Sequence, residues 1–335
     1  MWAVVTTSAE PAPVLCAFVA HHLRMGAEHI YVFLDSPDPA LADLLADLPQ
    51  CSVTVCHRAY WEAAGGRPVL VTERQKYNAQ RIYDHCPYRW LLHADADEYL
   101  APNVDLKQKL ADVPADSEIV RLPIAERVRR HDVGDENIFD PLFRNPLDPR
   151  RVSDPAVVYG RNARYLQEGV KGYTHYKSLC RTGQNLRIGI HTALGLDAAR
   201  RQRGVNLRRP ALFHYDGFTP KSWVRKMHLK AQIEDWRTKG PRDQGRARQL
   251  RVFADDRIPP QQLLRFYDRL DRIDADQRAQ LADARAISTP QLDLESTARA
   301  RFPDADLDFS IAAFDRATLS APEDGFLETL ARLAD

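Results

Sequence analysis

Cysteine is scarce in this 335-residue chain: Cys16, Cys51, Cys56, Cys86 and Cys180 are odd in number, scattered, and never spaced as CxxC. That pattern argues against a disulfide framework or a cysteine zinc cluster and leaves the five as small buried hydrophobes. No apolar run approaches the roughly 18 residues of a membrane span. The segment Met1 to Thr7 also lacks the basic region and cleavage site of a signal peptide, so a cytoplasmic protein is expected. Membrane contact is then limited to the inner surface, through a basic and aromatic patch such as Trp223, Arg225, Lys226 and Lys230. Charge of one sign is missing too. With 47 Lys and Arg against 46 Asp and Glu, no overall field draws the chain onto nucleic acid, and any polyanion must be held locally. The one adjacent glycine pair, Gly65 and Gly66, fits neither GxGxxG nor GxxxxGK, so a glycine-rich phosphate loop is absent. No internal repeat or low-complexity tract suggests a solenoid or a linker.

What remains is ample core material, 44% hydrophobic residues, enough for one large domain or two ordinary ones. The first hundred residues alternate short β-rich runs with helical patterns, the mark of an α/β fold on a mostly parallel sheet. Strands are expected at Trp2 to Thr7, His29 to Leu34, Cys51 to Cys56 and Arg89 to His93. Helices are expected at Pro13 to Met25, stopped by Gly26, at Pro39 to Leu48, and from Thr72 to Cys86, where Thr72 and Gln75 could form a capping box. From Glu118 to His191 prolines break the chain into an elaborated loop region, with a strand at Glu118 to Pro123 and two more at Tyr173 to Leu179 and Leu186 to His191. Helices near Ser222 to Thr238 and from Pro260 to Arg285 follow, and the tail beyond Ser288 reads as peripheral.

The sharpest feature is the run Trp90 to Leu100, where a buried strand empties into Asp95, Ala96, Asp97 and Glu98. In extended chain Asp95 and Asp97 share a face, with Ala96 leaving the gap open. Paired carboxylates of this kind suit Mg²⁺ or Mn²⁺. They fall just beyond the carboxyl end of a strand, where open α/β sheets bind ligands. A bare DxD elsewhere would read as a solvated turn. Arg74, Gln75 and Asn78 share a helix face that turns either toward such a ligand or toward solvent.

These residues resemble the glycosyltransferase family 2 like proteins of GT-A fold, in the branch with a DADEF-type motif, here Asp95, Ala96, Asp97, Glu98 and Tyr99. The likeness takes in Val4 to Thr7 with Glu10, the helix with Ala20, His21 and His22, the stretch His29 to Asp35, then Lys177, Ser178, Arg181 and His191. It ends with His214, Tyr215, Lys221, Ser222 and Lys226, covering roughly residues 2 to 240. The resemblance implies a Rossmann-like GT-A domain over residues 1–240, with a nucleotide-sugar half at 1–100 and an acceptor half at 101–240. A helical C-terminal extension would occupy 241–335.

The implied activity is a metal-dependent, inverting hexosyl transfer from a nucleotide-diphosphate sugar to a glycan or lipid-linked acceptor. Donor contacts are implied for Thr6, Thr7, Glu10, Asp35, Arg74, Asp95, Lys177 and Arg181. Metal ligation is implied for Asp97, with Asp95 and His191 beside it. Inversion needs a carboxylate base. Glu126 is the first candidate, with Asp132, Asp135, Glu136 and Asp216 as rivals. The chain departs from the family there, carrying Glu126 to His131 (ERVRRH) in place of an FG-rich segment, and that basic character hints at an anionic acceptor. A nucleotidyltransferase and a non-catalytic nucleotide-sugar binding module are the alternatives.

Overall fold

The computed structural model describes residues 1–335 apart from 132–133, 135–136, 175, 196–201, 209, 234–243, 320–324 and 334–335. In chain order the principal strands are β1 (Trp2–Ser8), β2 (His29–Leu34), β3 (Cys51–Val55), β4 (Trp90–His93), β5 (Glu98–Leu100), β6 (Ile119–Arg127), β7 (Arg129–Arg130), β8 (Phe143–Arg144) and β9 (Tyr176–Arg181). The helices are α1 (Ala12–Arg24), α2 (Pro39–Ala46), α3 (Arg58–Ala63), α4 (Val71–His85), α5 (Leu106–Ala111), α6 (Ala156–Tyr159), α7 (Pro220–Ile233), α8 (Gln244–Phe253), α9 (Pro260–Asp271), α10 (Ala275–Asp283), α11 (Leu294–Arg301), α12 (Ile311–Leu319) and α13 (Gly325–Arg332). The expected end of the Ser222 helix, beyond Ile233, lies outside the described residues.

The chain divides into two compact units, the first made of Met1–Ile124, His175–Leu212 and Leu292–Leu307. Its sheet runs β6-β9-β4-β1-β2-β3. β1 is parallel to both β2 and β4, with Val4 opposite Ile30 on one side and Leu92 on the other, and β2 is parallel to β3. The fold is thus mixed α/β, a Rossmann-like sheet flanked by helices, as the sequence leads one to expect. β1 is buried along its whole length, which explains why WAVVTTS shows no alternation. Because β1 sends the chain to β2 on one side and has β4 on the other, the topology switches at its carboxyl end, where such sheets open a crevice.

β9 is the antiparallel member, pairing Trp90 with Arg181 and Leu92 with Leu179. The expected strand from Leu186 to His191 shortens to Leu186–Arg187. Beyond it the backbone closes so tightly that a Cβ on Gly189 would stand 2.3 Å from Thr192 O, and the Gly189 carbonyl accepts from His93 Nδ1 at 2.9 Å. His191 therefore lies in a bend, not on a strand. The tail is not peripheral throughout: α11 packs on α1, with Leu294 and Ala298 buried, and Arg24 donates to Leu292 O at 2.5 Å.

The second unit comprises Ala125–Thr174, Phe213–Gln291 and Asp308–Asp335. The end of β6 pairs with β8, Glu126 opposite Arg144, and β8 pairs with Ile287–Ser288. Its apolar core gathers Trp223, Met227, Leu250, Phe253, Phe266 and Tyr267 from α7, α8 and α9. The single helix expected from Pro260 to Arg285 is instead α9 and α10. Asp274 caps α10 in a reciprocal capping box with Gln277, and Arg272–Ile273 pairs with β7.

Candidate active site

At the end of β4 the chain turns rather than continuing extended, because Glu98 N donates to Asp95 O at 3.0 Å. Asp95 and Asp97 therefore lie on a turn and not at alternating positions of a strand. The Glu98 side chain reinforces it, Oε2 accepting from Asp95 N at 2.9 Å. Lys177, wholly buried on β9, reaches Asp95 Oδ2 at 2.8 Å and Glu98 Oε2 at 3.1 Å. Gln75 Nε2 on α4 donates to Asp95 Oδ1 at 2.6 Å. That bond takes up the side chain expected to cap α4, which starts at Val71 with no side-chain cap.

Burial by itself would raise the Asp95 pKa, but Lys177, helped by His93 and His191, holds it well below the usual carboxylate range. Burial likewise opposes the Lys177 charge, and Asp95 and Glu98 overcome it, keeping the ammonium protonated. His93, the last residue of β4, is pushed down by burial and then by Lys177 to about 4, so it is neutral at physiological pH.

α4 serves the other strands in the same way. Arg74 donates through Nε to Asp35 Oδ2 at 2.9 Å and through one terminal nitrogen to Pro68 O and Val69 O at 2.7 and 2.9 Å. Arg67 joins Asp35 at 3.1 Å. Asn78, fully buried, donates to Thr7 Oγ1 at 3.0 Å and accepts from Tyr60 OH at 2.5 Å. The face of Arg74, Gln75 and Asn78 thus points inward, each residue gripping a candidate from β1, from β4, or from the end of β2. Thr6 is buried beside Thr7, and Glu10 is half-buried with its amide on Ser8 Oγ at 3.0 Å. A cavity of about 430 Å³ opens next to Asp35, lined among others by Cys56, His57, Trp61 and Arg67.

Several expected residues do other work. Arg181 pairs with Trp90, at the opposite end of β4 from Asp95. It stacks on the Trp90 ring at 4.3 Å and donates to Ser117 O and Pro114 O, bracing that end of the strand away from Asp95. Lys177 meets carboxylates rather than open space, and Arg74 is likewise committed. Glu126 is fully buried, bonded to Arg144 at 2.8 Å and to the amides of Lys171 and Gly172 at 2.8 and 2.5 Å. Burial would raise its pKa, but Lys171 and Arg144 overcome this and lower it, so Glu126 sits as a paired carboxylate. Asp216 is equally enclosed, by Lys226 at 3.1 Å and Arg246 at 3.0 Å. The rivals Asp132, Asp135 and Glu136 lie outside the described residues.

The basic segment after Glu126 also turns inward. Arg127 donates to Gly217 O at 2.5 Å, and Arg129 to Asp271 at 2.7 Å and Asp268 at 2.9 Å. Trp223 is fully buried, which removes the aromatic member of the expected membrane patch. Among the described residues no helix is long and apolar enough to cross a membrane.

Among the described residues, no three His, Cys, Asp or Glu side chains are placed to hold an ion together, so Asp95, Asp97 and His191 do not form a ready-made ligand set. His191 is near enough to act on Asp95 electrostatically, and its carbonyl accepts from Ser178 Oγ at 3.2 Å. The carboxylates still fit a divalent ion in one respect. Asp95, Asp97 and Glu98 bring three carboxylates to a turn whose bridging cation is Lys177, and Mg²⁺ is commonly held by one or two carboxylates completed by water and substrate phosphate.

No family model and no curated protein sequence matches the chain. Solved structures to which it is similar include TarS 1–349 of S. aureus in complex with UDP-GlcNAc, 12% identical, covering 96% of this chain and 93% of that one at a TM-score of 0.34. The galactosyltransferase LgtC, in complex with donor and acceptor sugar analogs, is 12% identical over 75% of this chain and 95% of its own, with a TM-score of 0.33. HddC from Yersinia pseudotuberculosis is 10% identical over 68% and 100%, with a TM-score of 0.33. Glycosyltransferase structures are thus among those the chain resembles, while its fold class stands on its own strand order and register.

Proposed function

We propose that the chain is a glycosyltransferase that moves a sugar from a nucleotide diphosphate to a glycan or lipid-linked acceptor in the cytoplasm. The observation that carries this reading is the convergence on α4: one helix ties Thr7 of β1, Asp35 after β2 and Asp95 after β4 at the carboxyl edge of a parallel sheet. That edge, at a topological switch, is where α/β sheets receive nucleotides. The cavity beside Asp35 would take the nucleoside, and the Asp95 to Asp97 turn would face the diphosphate.

In this reading Lys177 and Gln75 fix the Asp95 carboxylate before the donor arrives, so no reorganisation is needed when charge develops. Asp97, with Asp95 and His191 beside it, would hold Mg²⁺ or Mn²⁺, which supplies Lewis-acid stabilisation of the leaving diphosphate. An inverting transfer would also need a carboxylate base, while Glu126 and Asp216 are held in ion pairs.

The test is a thermal shift screen of UDP, GDP, CDP and TDP, each with and without Mn²⁺, on the wild type and on Asp97→Ala. A ligand at about 100 times its Kd stabilises the fold by about 2.7 kcal/mol. One nucleotide should raise the melting temperature with metal, and Asp97→Ala should abolish the rise. If no nucleotide does so under any metal condition, the donor-site reading fails.

A further inference from the structure

Lys177 is a buried cation held between two carboxylates. It is wholly buried, with its ammonium 2.8 Å from Asp95 Oδ2 and 3.1 Å from Glu98 Oε2. The other Asp95 oxygen receives Gln75 at 2.6 Å, and Glu98 Oε2 also receives the Asp95 amide at 2.9 Å. Asp95 and Glu98 are therefore satisfied by the protein itself. A second cation drawn to the same oxygens meets the repulsion of the first at close range, where little water screens it. Hard divalent ions also require several oxygen ligands, and among the described residues no group of three is assembled.

We propose that Lys177 guards the turn against free divalent ions, so that an ion is admitted only together with the diphosphate oxygens of the donor. The guarding is a property of the chain alone, while the coupling to a diphosphate rests on the donor-site reading. In mechanistic terms the resident ammonium makes metal and nucleotide obligate companions. The acidic turn would then not fill with ions while no substrate is present.

The experiment is a Mn²⁺ titration of the full chain followed by electron paramagnetic resonance, first with no nucleotide and then with each of UDP, GDP, CDP and TDP. The wild type should bind Mn²⁺ alone weakly, at about 1 mM or worse, and Lys177→Met should bind it roughly tenfold tighter or more. Lys177→Arg, which keeps the charge, should remain as weak as the wild type. Because Lys177→Met leaves two buried carboxylates unmatched, the double variant Lys177→Met with Glu98→Gln restores the charge balance. It too should bind Mn²⁺ more tightly than the wild type. Tight binding of Mn²⁺ alone by the wild type, or no gain in either Lys177→Met form, overturns the guard. If those gains appear but no nucleotide raises wild-type Mn²⁺ affinity, the guard stands and the coupling falls together with the donor-site reading.

Discussion

Glu126 shows how one side chain can satisfy a chemical expectation in sequence and contradict it in space. It follows a buried run and precedes a basic stretch, yet Arg144 and two backbone amides enclose it completely. Breaking a buried pair by neutralising one member leaves the other charge without compensation, at a cost of about 3–5 kcal/mol. Glu126→Gln should therefore lower the free energy of urea unfolding by that amount. A variant with wild-type stability and lost transfer activity would return Glu126 to the role of base. Asp95 and Asp97 stand out in the sequence because carboxylates at the end of a buried apolar strand are costly unless a cation or a ligand meets them, and in the structure Lys177 meets Asp95. Arg74, Lys177 and Arg181 were placed less well, since a long cationic side chain can reach several partners and only the antiparallel course of β9 decides that Lys177 faces the turn while Arg181 braces Trp90.

Among elements, α4 is the organiser of the edge. Its helical spacing was readable, and so was the shared face of Arg74, Gln75 and Asn78, but sequence left open whether that face met solvent or sheet. Burial of Arg74 and Asn78 answers it. Asn78→Ala removes the partner of the buried Thr7 Oγ1 and a bond to the Tyr60 hydroxyl, and leaving a buried polar atom unsatisfied costs about 1–3 kcal/mol. Thermal melts should show Asn78→Ala clearly less stable than the exposed control Lys107→Ala on α5. Equal melting temperatures would mean that this network does not hold α4 to β1. Regular strands and helices of the first hundred residues were legible from periodicity. The shortened strand after Leu186 and the break before α10 were not, because a tight approach at Gly189 and a capping box at Asp274 override a continuing apolar pattern.

At the scale of the whole molecule, mild acid is expected to loosen the fold through two buried histidines. Burial, and then the charge of His22, pushes His21 well below its ordinary value; His22 itself is pushed by burial to about 4. The unfolded chain binds these protons near pH 6.5 and the folded one does not, so stability is full above that value and is lost as pH falls from 6.5 toward 4. Each histidine contributes a slope of up to about 1.4 kcal/mol per pH unit in that window. Urea unfolding at intervals from pH 7.5 to 4.5 should show the decline, and a flat profile would mean that His21 and His22 gain protons in place. Overall class was legible from alternating strands and helices; the course of the chain through its units was not, because nothing local marks residues 292–307 as belonging with the first strands.

That return has a consequence for how the protein is made. The first unit begins at Met1 but takes in Leu292–Leu307, whose helix covers α1. Domains generally fold as units while the ribosome is still adding residues. Here the covering helix is synthesised after nearly all of both units, so α1 and its strands must wait with that flank uncovered. A nascent chain halted before residue 292 would expose this apolar surface, which stays open to chaperone capture until residues 292–307 emerge.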